Sequence, residues 1–139
     1  MGFSFFKQIF SGRKQKTEKI EPSGPSMQFV LNYSEGREQT SRVSKEEIRR
    51  AIENLDKYGD VWLSNCRTVI TPYGNCSGIS CMAVPDGNPQ VAVYFAMADG
   101  LMRYVCGGYR PDDIVRMFYN YFERLEIPEI SDWEKGHYT

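Results

Sequence analysis

The feature that most constrains this chain is the punctuation of its middle. Between Val61 and Cys106, short β-favouring runs alternate with turn-forming clusters. VWLSN (61–65) and Thr68 to Thr71 lead into Pro72-Tyr73-Gly74-Asn75, and Ile79 to Val84 leads into Pro85-Asp86-Gly87-Asn88. Val91 to Ala96 then meets Asp99-Gly100, and Leu101 to Cys106 closes the series at Gly107-Gly108. Asp-Gly between apolar runs is a hairpin junction, because both residues tolerate the backbone conformations of a tight turn. The middle of the chain therefore reads as an antiparallel meander of three or four strands.

The flanks complete an α+β pattern. Met27 to Tyr33 (MQFVLNY) reads as a strand that runs into a polar loop, Ser34 to Arg42. Ser44 with Glu47 forms a capping box, and Ile48, Ala51, Ile52 and Leu55 follow at helical spacing until Tyr58-Gly59. A second helix begins at Pro111, with Asp112 and Asp113 in the first turn where the helix dipole favours anions. Its stripe is Ile114, Met117, Phe118, Tyr121, Phe122 and Leu125, and it ends before Pro128. The expectation is a single domain over residues 27–139, with a sheet of about four to five strands and two helices packed on one face. The strands hold Trp62, Met82, Tyr94, Phe95, Met97, Met102 and Tyr104, more bulk than one covered face uses. Such an excess predicts an exposed patch that contacts protein or membrane.

Charge divides the 139 residues unevenly. Residues 1–26 carry five basic groups (Lys7, Arg13, Lys14, Lys16, Lys19) against Glu18 and Glu21, while the remainder carries 12 basic and 16 acidic groups. A net charge of −1 removes the positive field that sequence-independent nucleic-acid binding requires, so no direct nucleic-acid partner is expected. From Asp112 onward seven acids face three bases, which makes that end the place for a basic partner to dock. The apolar run of Phe3, Phe5, Phe6, Ile9 and Phe10 precedes its basic cluster, the reverse of a secretory leader, and falls short of the roughly 20 residues of a membrane span. A cytoplasmic protein is expected. Residues 1–16 fit a brief amphipathic helix on the anionic inner face of the membrane, or else a docked or disordered extension. Glu21 to Ser26 (EPSGPS) reads as the linker between extension and domain.

Catalytic patterns are missing. Cys66, Cys76, Cys81 and Cys106 show no two-residue metal or redox spacing, and read as unpaired thiols, with a Cys76–Cys81 disulfide the less favoured alternative. His137, the single histidine, lies two residues from the C-terminus, at an end expected to fray. Gly74-Asn75-Cys76-Ser77-Gly78 invites a nucleophile at Cys76 or Ser77, yet no activating base accompanies it, and a turn between strands is the preferred reading. Asp112-Asp113 suits a helix start better than a metal site. There is no phosphate loop and no zinc-deaminase pattern. The chain reads as a binder with no cofactor and no metal, not an enzyme.

Arg110 to Leu125, followed by Ile127-Pro128-Glu129-Ile130-Ser131-Asp132-Trp133-Glu134, resembles the end of a family of bacterial immunity proteins from polymorphic toxin systems. Members look like a helix, a meander of strands, a helix, then Pro-Glu with a Trp four residues beyond the Glu; Pro128, Glu129 and Trp133 match. The order of elements from Ser44 to Trp133 matches too, covering about two-thirds of the chain, whereas the Phe-rich basic extension departs from the pattern. The resemblance implies a cognate toxin as partner, and some members are paired with nucleic-acid deaminase toxins. Glu126, Glu129, Asp132 and Glu134 around Trp133 are the candidate binding residues: an acidic surface steers toward a basic toxin and occludes its active site without chemistry. Trp133 itself also suits a cover over the core, and the acids a solvated rim. A dimeric secretion chaperone or adaptor binding along strand edges, and a membrane-associated regulatory subunit, are the rival readings. Monomer and dimer both stay open.

Overall fold

Residues 28–138, which the computed structural model describes, form one seven-stranded sheet in which every neighbouring pair is antiparallel. Strand β1 (Phe29–Tyr33) lies between β2 (Glu38–Thr40) and β3 (Asp60–Thr71). Beyond β3 come β4 (Gly74–Met82), β5 (Gln90–Met97), β6 (Gly100–Cys106) and β7 (Glu134–Tyr138) in turn. Helices α1 (Lys45–Glu53) and α2 (Leu55–Tyr58) connect β2 to β3, and α3 (Pro111–Arg124) connects β6 to β7.

The α+β class and the central meander are as expected, but the described residues hold seven strands rather than four or five and three helices rather than two. VWLSN and Thr68 to Thr71 belong to one strand, β3, whose pairing with β4 is irregular between Ser64 and Val69. Residues 74–78 are not a turn; they open β4, and the turn is confined to Pro72-Tyr73 between the paired Thr71 and Gly74. Strand β2 lies inside the stretch expected to be loop, because three polar residues pair through their backbones and need no apolar alternation. The C-terminal end does not fray as expected: Glu134 to Tyr138 pairs with Val105 to Leu101. The extension of residues 1–26, its linker, the amphipathic helix considered for 1–16, and Met27 lie outside the described residues.

Local chemistry accounts for the helices. The Ser44 hydroxyl accepts the Glu47 N–H at 3.2 Å, satisfying one free donor at the start of α1, while the Glu47 carboxylate pairs with the Arg50 guanidinium. The expected single helix breaks at Asn54, whose side-chain amide donates to the Arg50 carbonyl at 2.8 Å, a carbonyl its own N–H also uses. Gly59, at φ 86°, ends α2. Pro111 occupies the first turn of α3, and Leu125, at φ 59°, closes it by donating its N–H to the Tyr121 carbonyl at 3.0 Å.

Both long helices cover the same face of the sheet. Leu31, Val61, Leu63, Ile79, Cys81, Val91, Val93 and Phe95 alternate along β1 and β3–β5 and meet Ile48, Ile52 and Leu55 from α1 and α2, and Ile114, Phe118 and Tyr121 from α3. Each large aliphatic side chain buried this way contributes about 1.5–3 kcal/mol. A bulge in β4 puts one extra residue, Ser77, between the pairs Cys76–Phe95 and Gly78–Tyr94, and so turns Cys76 into the core.

The intervening residues, among them Asn32, Trp62, Ser64, Ser80, Tyr94 and Val105, line the opposite face, which no described helix covers. Trp62 stacks on Tyr94 with ring centres 4.9 Å apart and planes at 20°. The indole lies across Gly78, where a Cβ would stand 2.5 Å from the indole nitrogen and 2.8 Å from the Leu63 carbonyl oxygen. Gly78→Ala is accordingly expected to cost about 1–3 kcal/mol of overpacking, read as a lowered urea midpoint with an unchanged m-value.

Candidate functional site

The segment that carries the sequence-derived candidates runs from the end of α3 to β7 and is pinned at two apolar points. Ile130 is fully buried, and Trp133 is 7% exposed, its ring 5.8 Å from that of Tyr109 and its backbone N–H donated to the Ile130 carbonyl at 3.0 Å. Trp133 is thus part of the core cluster rather than of the surface, and folds back as a cover. Glu126, Glu129, Asp132 and Glu134 are all exposed. The first three share the connection between α3 and β7, whereas Glu134 starts β7 opposite Val105 and belongs to the uncovered face.

The acids differ in their surroundings. Glu129 accepts a hydrogen bond from the Tyr73 hydroxyl at 3.0 Å, which ties the connection to the β3–β4 turn. Hydrogen bonds from Ser131 and Tyr73 hold its carboxyl below the ordinary value, and the bond to Glu129 pushes the Tyr73 phenol up. Earlier acids on α3 are partnered: Asp112 with Arg49 at 3.9 Å, Asp113 with Arg116 at 3.1 Å, and Glu123 with Lys45 at 3.2 Å. Among the described residues, Glu126, Asp132 and Glu134 enter no ion pair.

A second site was not anticipated from the sequence. On the uncovered face, Asn32, Glu35, Gly36, Asp60, Trp62, Ser64 and Met82 line a groove of about 650 Å³. Its rim is the β1–β2 turn, in which Ser34, Glu35 and Gly36 all have positive φ (58°, 58° and 84°). For Ser34 and Glu35 that conformation costs roughly 1–2 kcal/mol each. Asp60 holds the turn there: its carboxylate accepts the Glu35 N–H at 2.8 Å and its carbonyl the Ser34 N–H at 3.4 Å. Two carboxylates therefore stand beside an indole and a 43%-exposed Met82. The signal available in the sequence was Ser-Glu-Gly, a tight-turn composition inside the supposed loop, and it was masked by distance from Asp60.

The reactive-thiol candidates are poorly placed for chemistry. Burial pushes the Cys76 and Cys81 thiols up, which disfavours the nucleophilic thiolate. Burial also pushes up the Tyr121 phenol, whose hydroxyl donates to the Asn65 side-chain oxygen at 2.5 Å. All four cysteines are unpaired, so Cys76 and Cys81 form no disulfide. Asp112 and Asp113 stand in the first turn of α3, and among the described residues no group of three His, Cys, Asp or Glu side chains is arranged to hold a metal ion. The His137 side chain is outside the described set. No described helix is long and apolar enough to cross a membrane.

Comparison with protein-family models, with curated proteins and with solved structures finds no match for this chain.

Two expectations test this geometry. A carboxyl whose folded pKa lies below its unfolded value stabilises at pH above the unfolded value, and loses that contribution as pH falls through the folded value. Removing the phenol in Tyr73→Phe should move the Glu129 titration, followed by carboxyl NMR, up toward the ordinary value; an unchanged midpoint would refute the contact. The exposed Cys66 should react first with a thiol reagent in the native protein, and Cys76 and Cys81 only on unfolding.

Proposed function

We propose that this chain is a non-catalytic binding protein that neutralises a cognate bacterial toxin by occluding its active site, the immunity role implied by the likeness at Pro128, Glu129 and Trp133. The observation that supports this most is the way the acids are held. Ile130 and Trp133 anchor the connection in the core, and Tyr73 anchors Glu129, so Glu126, Glu129 and Asp132 project from backbone already ordered before any partner arrives. A preorganised acidic segment avoids the ordering cost of binding and speeds encounter with a basic partner. Glu134 adds to the same negative end from the first position of β7.

Occlusion requires no reactive group on this side of the complex, and the buried, high-pKa thiols agree with a protein that acts by contact. The chaperone reading requires a free strand edge. The outer strands offer only three residues in β2 and five in β7, little for an extended client to pair with, so the toxin reading is preferred.

The test is coexpression with the product of the adjacent gene. Protection of growth by the wild-type chain, lost by about tenfold or more in plating efficiency on Glu126→Lys plus Asp132→Lys with the thermal midpoint unchanged, is the expected result. Full protection by that variant would remove the acidic segment from the interface. Export of the adjacent product without any toxicity would favour the chaperone.

A further inference from the structure

The uncovered sheet face has an occupant available within the same chain. We propose that residues 1–26 dock on it, with the basic run Arg13 to Lys19 against the groove at Glu35 and Asp60, and the Phe3 to Phe10 run over Trp62 and Met82.

Three observations carry this, none of which depends on the toxin reading. The first is charge: the extension carries five basic and two acidic groups, the rest of the chain 12 basic and 16 acidic, and the groove is lined by two carboxylates with no Lys or Arg among its lining residues. Arg37, next to the rim, is turned to the Ser34 carbonyl at 3.0 Å. The second is apolar match. The face presents half-buried Trp62 and Val105 and the 43%-exposed Met82 with no described helix above them, and the extension carries the apolar residues Phe3, Phe5, Phe6, Ile9 and Phe10.

The third is reach. The described chain starts at Gln28, whose carbonyl accepts the Cys66 N–H at 2.9 Å, so the extension departs from the end of β1 farther from the groove. The groove lies at the other end of β1, roughly 13 Å away at the ordinary rise of a strand. Residues 20–27, extended at about 3.3 Å each, span roughly 26 Å, enough to bring the basic run to the groove and the Phe run onto the strands beyond it. A tether of this length holds the segment at an effective concentration of the order of millimolar, so even weak contacts populate the docked state.

The experiment uses the full chain with Phe6 replaced by the photo-crosslinking residue p-benzoylphenylalanine, irradiated at low protein concentration and mapped by peptide mass spectrometry. The expected result is crosslinking within one chain to β3–β5 peptides of the uncovered face, foremost at Met82, with the yield falling about fivefold in Glu35→Lys or at high salt. The Glu35 carboxylate is not used to hold the turn, so that variant should keep its thermal midpoint. Lys14→Glu combined with Lys16→Glu should restore the yield in the Glu35→Lys background. Crosslinks between two chains, crosslinks to α1 or α3, a yield indifferent to Glu35 and salt, or loss of crosslinking with binding to anionic phospholipid vesicles would each overturn the proposal.

Discussion

A β-sheet presents alternate side chains to opposite sides, and among the described residues helices cover one side only. On that side Ile48, Ile52, Ile114 and Phe118 remove Leu63, Ile79, Val91 and Val93 from water, and the fold draws most of its hydrophobic stabilisation there. The other side has no described helix above it, yet Ser80, Ala92 and Tyr94 on it are buried. There Trp62 stacks on Tyr94 over a glycine, which lets an indole lie almost on the backbone. The cost is an indole N–H that is buried and makes no hydrogen bond, about 1–3 kcal/mol against the stacking and burial it accompanies.

The same one-sidedness explains where function can reside. The sheet-facing residues of the helices are committed to the core, which leaves the uncovered face, the rim and the outer sides of α1 and α3 for contact with a partner. The rim is where Ile130 and Trp133 fasten the connection to β7, holding backbone in place while its acids face solvent. The uncovered face holds the groove, shaped by Asp60 forcing the β1–β2 turn into a left-handed conformation. Acidic character is thus presented at two places, each on backbone restrained by a contact distant in sequence: Tyr73 with Glu129, and Asp60 with Glu35.

Much of the scaffold could be read from local pattern. Ser44 caps α1 as its spacing indicates, and Ile48, Ala51, Ile52 and Leu55 are all buried, as are Ile114, Phe118 and Tyr121 of α3. The Asp-Gly junctions do separate strands. These features depend on neighbours within a few residues, where 3.6-residue and two-residue periods leave a direct trace. The outer strands β2 and β7 left none, because their pairing is between backbones and tolerates Glu, Lys and Gly.

What the sequence alone determined is the α+β class, the positions of the long helices, and the presence of acids beside a core-seeking Trp133. Only tertiary structure decided that Cys76 points inward, that Trp133 is buried while its neighbours are exposed, and that Glu35 and Asp60 share a groove with Trp62 and Met82. The physical reason is range. A bulge of one residue reverses which face a side chain occupies, and a groove forms from strands distant along the chain, so neither is encoded in any short window of residues.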